Sequence, residues 1–279
     1  MSIIDDLKLR YQQGSIVQKL IYINVGIFVI TLLISVFSGL YRSEVNFLTN
    51  WFSLDSELDV WFTKPWSILT YGFLHGGFLH LLFNMIALHY IGNLFIDYFT
   101  QKQLLTFYLL GTFFGGLLYM LSYNYFPLFE GSNSILVGSS AGVSAIFMGI
   151  AAYIPNFEFK LPLIGFVKLW IFAAIWVAFD VLGLVGANAG GHFAHLGGSL
   201  FGFLYVSNVS NKELNLLDGF FNLFKSKKKP LRTVYKAPKK SEKNDNQQKI
   251  DSILDKISKS GYDSLTKAEK EFLFKQGKS

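Results

Sequence analysis

The chain has 279 residues, of which 51% are hydrophobic, with a mean hydropathy of +0.36 and a formal net charge of +6. There is no cysteine, which excludes disulfides, thiolate metal centres and cysteine nucleophiles. The basic excess does not read as a nucleic-acid footprint. The lysines crowd into residues 225–247 beside the last apolar segment, where a cytoplasmic membrane flank accounts for them.

A polar, lysine-rich end forces the apolar residues into the rest of the chain, which points to a polytopic all-α membrane protein. Residues 1–19 carry Asp5, Asp6, Lys8, Arg10 and Lys19 and read as a short cytoplasmic segment; no cleavable signal is visible. Leu20–Leu40 is uncharged and predicts the first spanning helix. Residues 41–64 are acidic and aromatic and fit an outer interface. Lys64 and Asp97 enclose 32 uncharged residues, more than the roughly 20 that a crossing needs. The surplus, with Gly72, Gly76 and Gly77, predicts a re-entrant approach before a second helix over 78–96. A third helix is expected over 104–123, a fourth from Ser140 to just before Pro155, a fifth over 167–185 and a sixth over 191–209. No strand pattern of any strength is present.

Six crossings put both termini on one side, and the positive-inside rule makes that side cytoplasmic. The fourth and sixth helices then both start on the outer side, which gives Ser140 and His195 similar depths. Residues 210–246 form a basic linker. Residues 247–279 show apolar positions Ile250, Ile253, Leu254 and Ile257 at helical spacing and predict a small cytoplasmic helical tail.

Histidines in membrane segments are costly and point to function. Of the five, His75 and His80 form one cluster, His192 and His195 another. Gly191, His195, Gly198 and Gly202 share a helical face, so another backbone can approach the imidazole closely. The partner expected is the small-residue run from Gly138 to Ala145, where Ser140 opens a helix. A neutral imidazole can activate a serine, and the unpaired amides of a helix start suit an oxyanion. Ser139 and Ser144 compete with Ser140, and spacing alone does not choose between them. His80 and Asn84, at i and i+4, present two neutral donors of the kind an oxyanion hole uses, or else hydrogen-bond neighbouring helices. No metal is expected: His75 and His80 lack a third ligand at matching spacing. His89 reads as structural, and His192 as a solvated residue at the helix entrance. Asp180 is the one acid deep in the fifth segment. It either orients a histidine or lies at the outer end of its helix, the second reading being preferred. Asp97 falls at the opposite end of the second helix, so the two acids do not make an aspartyl protease.

His80-x-x-x-Asn84, Gly138-x-Ser140 and Ala194-His195-x-x-Gly198-x-x-x-Gly202, in that order and in separate apolar segments, resemble the rhomboid intramembrane serine proteases of bacterial type over about residues 15–208. The resemblance implies Ser140 as nucleophile, His195 as general base, His80, Asn84 and the Ser140 amide as oxyanion hole, and no cofactor. It also implies single-pass transmembrane substrates cleaved within the bilayer of the cell membrane. Trp66 and Thr70 match the end of the family's first outer loop, and Asp97 an acid at the inner end of the second helix. Three positions depart: Ala141 stands where a glycine usually follows the nucleophile, Ser67 where an arginine often follows the loop tryptophan, and Ser144 where an aromatic residue often packs under the base. The last leaves open what holds the imidazole. The alternatives are a rhomboid-like pseudoprotease that binds membrane clients without cutting them, and a small transporter using the histidines as a proton relay.

Overall fold

The computed structural model describes residues 5, 9, 11–42, 46–161, 165–207 and 242–276, in two compact units, Met1–Phe224 and Lys225–Ser279. The first holds six principal helices. α1 (Ile16–Leu40) begins at a reciprocal cap in which Ser15 accepts from the Gln18 amide and the Gln18 side chain accepts from the Ser15 amide. Three short helices follow: α2 (Phe47–Phe52), α3 (Leu58–Thr63) and α4 (Ser67–Thr70). A 3-10 turn (Tyr71–Phe73) then leads into α5 (Phe78–Tyr98). α6 (Gln101–Tyr125) starts at a second reciprocal cap between Thr100 and Gln103. α7 (Ser140–Tyr153), α8 (Leu169–Gly183) and α9 (Ala189–Ser207) complete the set.

Three of these, α1, α5 and α6, are long and apolar enough to cross a membrane, and α7 and α8 are shorter apolar helices. Fourteen residues of α7 rise only about 21 Å. That is some 9 Å less than a bilayer's hydrocarbon core of about 30 Å. Every residue of α7 from Ala141 to Ala151 is buried, while α1 exposes Val29, Ile30, Leu32, Leu33 and Val36. An apolar exterior around a small-residue centre suits a chain whose solvent is lipid.

The centre is held by close backbone approach. A methyl group on Gly198 or Gly202 of α9 would lie 2.1 or 2.2 Å from the carbonyl oxygens of Ala141 or Ala145. A methyl on Gly111 or Gly115 of α6 would meet the Cβ atoms of Ala145 or Ala141 at 2.3 or 2.6 Å.

The surplus residues before α5 form the segment from Ser67 through Leu74, with Ser67, Tyr71, Gly72 and Leu74 buried. Trp66 stacks on Trp51 with centroids 6.1 Å apart and donates to the Trp51 carbonyl at 3.0 Å. Thr70 Oγ1 donates to the Phe52 carbonyl at 2.9 Å. Tyr71 and Tyr108 are fully buried, and their hydroxyls donate to the carbonyls of Thr112 and Gly72 at 2.7 Å.

Two findings correct the absence of strands. β1 (Leu54–Asp55) pairs antiparallel with β2 (Ile135–Leu136), Leu54 opposite Leu136. β3 (Glu158–Leu161) pairs with β4 (Gly165–Lys168) where a loop was expected. Ladders of two and four residues are too short to show a period of two, and β4 takes the residues that would have opened the fifth helix two positions earlier.

The second unit contains α10 (Glu242–Ser260), a 3-10 turn (Tyr262–Ser264) and α11 (Lys267–Gln276). Ile253 and Leu265 are buried, and Lys256 Nζ contacts both Glu269 oxygens at 3.0 Å. α10 begins earlier than the sequence pattern implies. Residues 208–241, which hold most of the basic linker, lie outside the described residues.

Candidate active site

The polypeptide reaches Ser140 through a backbone only glycine can follow. Gly138 has φ +133, and a Cβ there would sit 2.7 Å from the His80 ring. The His80 imidazole therefore lies against the backbone two residues before Ser140. The Gly138 amide donates to the Tyr71 carbonyl at 3.0 Å, which fixes this approach to the segment before α5.

The three competing serines separate by environment. Ser139 occupies the N-cap position of α7 but makes no cap hydrogen bond. Its buried hydroxyl is instead 3.2 Å from His75 Nε2. The first amides of α7 thus receive no side-chain cap and remain available as donors. Ser144 is fully buried and accepts from Trp176 Nε1 at 3.2 Å. Ser140 alone of the three lines an open cavity of about 630 Å³, together with His80, Asn84, Trp176, Asn188 and His195. Among the described residues no hydrogen bond joins Ser140 to His195; such contacts commonly tighten only when substrate is bound.

His195 is held from α8. Asp180 is 3% exposed, and its Oδ1 lies 2.8 Å from His195 Nδ1 and 2.9 Å from His192 Nδ1. A carboxylate oxygen accepts hydrogen bonds, so both rings face Asp180 Oδ1 through Nδ1, and His195 Nε2 points away from that contact. Asp180 lies in the last turn of α8, as preferred, and it also orients a histidine, while His192, read as solvated, is part-buried against the same carboxylate. The signal was available in the sequence. A short turn joins α8 to α9, with Asp180 in the last turn of α8 and His192 and His195 in the first two turns of α9.

Trp176, one turn before Asp180, answers what packs by the imidazole. Its ring centroid is 6.2 Å from that of His195, tilted by 39°. Ser144, the residue that departs from the aromatic pattern, anchors the indole nitrogen.

His80 and Asn84 both line the cavity, and Asn84 Nδ2 donates one hydrogen to the His80 carbonyl at 2.9 Å. His75 meets His80 edge to face at 5.2 Å between centroids and stands behind it. His89 is exposed on α5 and pairs with Asn93 on its own helix, away from the cavity. Asn188, which the sequence reading passed over, lines the cavity from the α8–α9 turn. A second, apolar groove of about 490 Å³ lies between α5 and α8, lined by Tyr90, Ile91, Leu94, Phe172 and Trp176 among others. Trp176 belongs to both.

Comparison with known proteins places these residues in a family. The rhomboid domain matches residues 63–212, more than half of the chain and inclusive of all the residues above. A family of unknown function, DUF6576, matches residues 240–277. The chain is similar to the rhomboid protease GlpG of Yersinia pseudotuberculosis, with 28% identity over 152 residues, covering 51% of this chain and 48% of that protein. It is similar to RHOMBOID-like protein 4 of Arabidopsis thaliana, with 32% identity over 143 residues, covering 50% of this chain and 33% of that one. The chain thus spans less than half the length of either relative. The chain belongs to the rhomboid family.

Proposed function

We propose that this protein is an intramembrane serine endopeptidase. The observation that carries the reading is the shared cavity: a lone uncapped-helix serine, a histidine with its Nδ1 occupied, and two neutral donors face one space. Ser140 Oγ attacks the scissile carbonyl carbon while its proton passes to His195 Nε2. The carbonyl oxygen becomes an oxyanion facing the Ser140 amide, His80 and Asn84. The C–N bond then breaks and the leaving amine takes the proton from His195. Water repeats the sequence on the acyl-enzyme and restores Ser140. Asp180 retains its hydrogen bond to Nδ1 throughout and acts by orienting the ring.

The substrates are single-pass membrane proteins, cut near the outer end of their transmembrane segment, with both termini of the protease cytoplasmic. The apolar groove between α5 and α8, which shares Trp176 with the cavity, supports a lateral approach of the substrate. The pseudoprotease reading is less favoured because such proteins usually lack the serine or the histidine, and both are present here. Purified protein in detergent should cleave a model transmembrane substrate. Ser140→Ala and His195→Ala should each abolish cleavage while Ser139→Ala keeps substantial activity; comparable turnover by Ser140→Ala refutes the proposal.

A further inference from the structure

Asp180, His192 and His195 form a group that the proteolytic reading uses only in part. One ligand atom from each lies within 4.8 Å of the others, and the two contacts from Asp180 Oδ1 to the histidine Nδ1 atoms are 2.8 and 2.9 Å. Among the described residues no other trio of histidines and acids converges in this way. Asp180 Oδ2 is buried and has no hydrogen-bond partner, although its carboxylate is almost wholly removed from solvent. An ionised oxygen in that position is costly unless something satisfies it. The group is reachable, because the His192 side chain is 26% exposed and the His195 side chain 18%.

We infer that these three side chains form a site for a single zinc-like divalent transition-metal ion, and that its occupancy switches the protease off. Two imidazole nitrogens and a carboxylate oxygen are the donor set of a three-ligand zinc site with an open fourth position. Ligands at about 2.0–2.2 Å from a tetrahedral ion stand roughly 3.3 Å apart. The two Asp180–histidine contacts need lengthen by only about half an ångström. The positions are set by backbone: His192 and His195 are one turn apart on α9, and Asp180 faces them from α8. Gly183 makes room for the His192 ring, since a Cβ there would fall 2.3 Å from it.

The consequence follows from where the protons go. Without metal each Nδ1 bears the hydrogen it gives to Asp180. With metal each Nδ1 lone pair binds the ion, and each ring, still neutral, carries its hydrogen on Nε2. No net proton is released, but His195 Nε2 becomes a donor and can no longer accept the Ser140 proton. Binding therefore removes the base without removing any atom. The inhibition rests on the proposed role of His195; the binding does not.

The test uses the intact chain in detergent without a polyhistidine tag. Ser140→Ala protein, equilibrated with zinc and desalted, should retain one ion per chain, and cobalt in its place should give the visible spectrum of a tetrahedral site. Adding His192→Gln, which preserves a donor for Asp180 but supplies no good ligand, should lose both signals. In the active enzyme zinc should abolish cleavage, a chelator should restore it, and His192→Gln should raise the inhibitory concentration at least tenfold. Zinc retention unchanged by His192→Gln, or equal inhibition of both enzymes, overturns the site. Stoichiometric binding by Ser140→Ala alongside a wild type that never cleaves would leave the metal site standing and defeat the protease reading instead.

Discussion

The packing of α9 on α7 leaves no room at Gly198, and Gly198→Ala tests whether that contact sets the catalytic geometry. The added Cβ would lie 2.1 Å from the Ala141 carbonyl oxygen and 2.9 Å from its carbon. Both are backbone atoms inside a helix, so no side chain can turn aside. Reaching even 3.0 Å requires the helices to part by about 0.9 Å. Overpacking of this kind costs about 1–3 kcal/mol. A shift near 1 Å between nucleophile and base costs on the order of 10²-fold in rate. Ala141 follows Ser140 directly and Gly198 lies one turn after His195, so the displacement falls on the reacting pair. Gly26→Ala is the control: nothing lies within 4 Å of its Cβ, and its helix is otherwise unchanged. Cleavage of a transmembrane substrate and thermal unfolding, measured for both variants, give the answer. Gly198→Ala should lose about two orders of magnitude in kcat and unfold earlier, whereas Gly26→Ala should match the parent. A Gly198→Ala enzyme with parental kcat and stability refutes the reasoning.

Two further outcomes follow from particular contacts. Trp176→Ala should lower kcat/KM at least tenfold, because it removes the ring beside His195, whereas Ser144→Ala removes one hydrogen bond of about 1 kcal/mol and should cost less than tenfold; steady-state cleavage assays compare them, and full activity of Trp176→Ala refutes the packing role. In the second unit, the Thr266 amide and Lys256 hold the Glu269 carboxyl down to about 2, below its ordinary value near 4.5. A lowered acid stabilises the fold above its unfolded value and ceases to do so as pH falls through the folded one. The Thr266 amide resonance of the intact chain should therefore titrate with a midpoint near 2, and a midpoint near 4.5 would show that the contact is not formed.

The six principal helices are legible because each is an apolar run with few charges, bounded by caps, glycines or prolines. What the pattern misses is what depends on short pieces meeting across the chain. Leu54 and Leu136 pair although 82 residues separate them, and a two-residue ladder carries no period. Ser140 and His195 are legible from small-residue faces, but their supports are less so. Asp180 and Trp176 sit at i and i+4 on α8, on the one face turned toward His195, and each reads in isolation as a helix-end acid or a lipid-facing aromatic. Ser139 reads as a cap by position, yet its hydroxyl goes to His75 and leaves the helix start open.

The departures from the family pattern are matched by neighbours rather than left as defects. Ala141 carries a methyl where a glycine is usual, and that methyl occupies space that α6 leaves empty at Gly115, whose own Cβ would lie 2.6 Å away. Ser144 gives up an aromatic ring on α7, and Trp176 brings one from α8, with its indole nitrogen tied to that serine. In both cases the bulk that the family pattern places on one helix is offset across a contact with its neighbour. Ala141 and Ala145 receive the glycine contacts of both α6 and α9, so two helices take their positions from one stretch of backbone. The serine at the head of that stretch is therefore placed by main-chain contacts. The histidine opposite it is held by the carboxylate and indole of α8, so a change on α8 can move His195 while leaving Ser140 where it is.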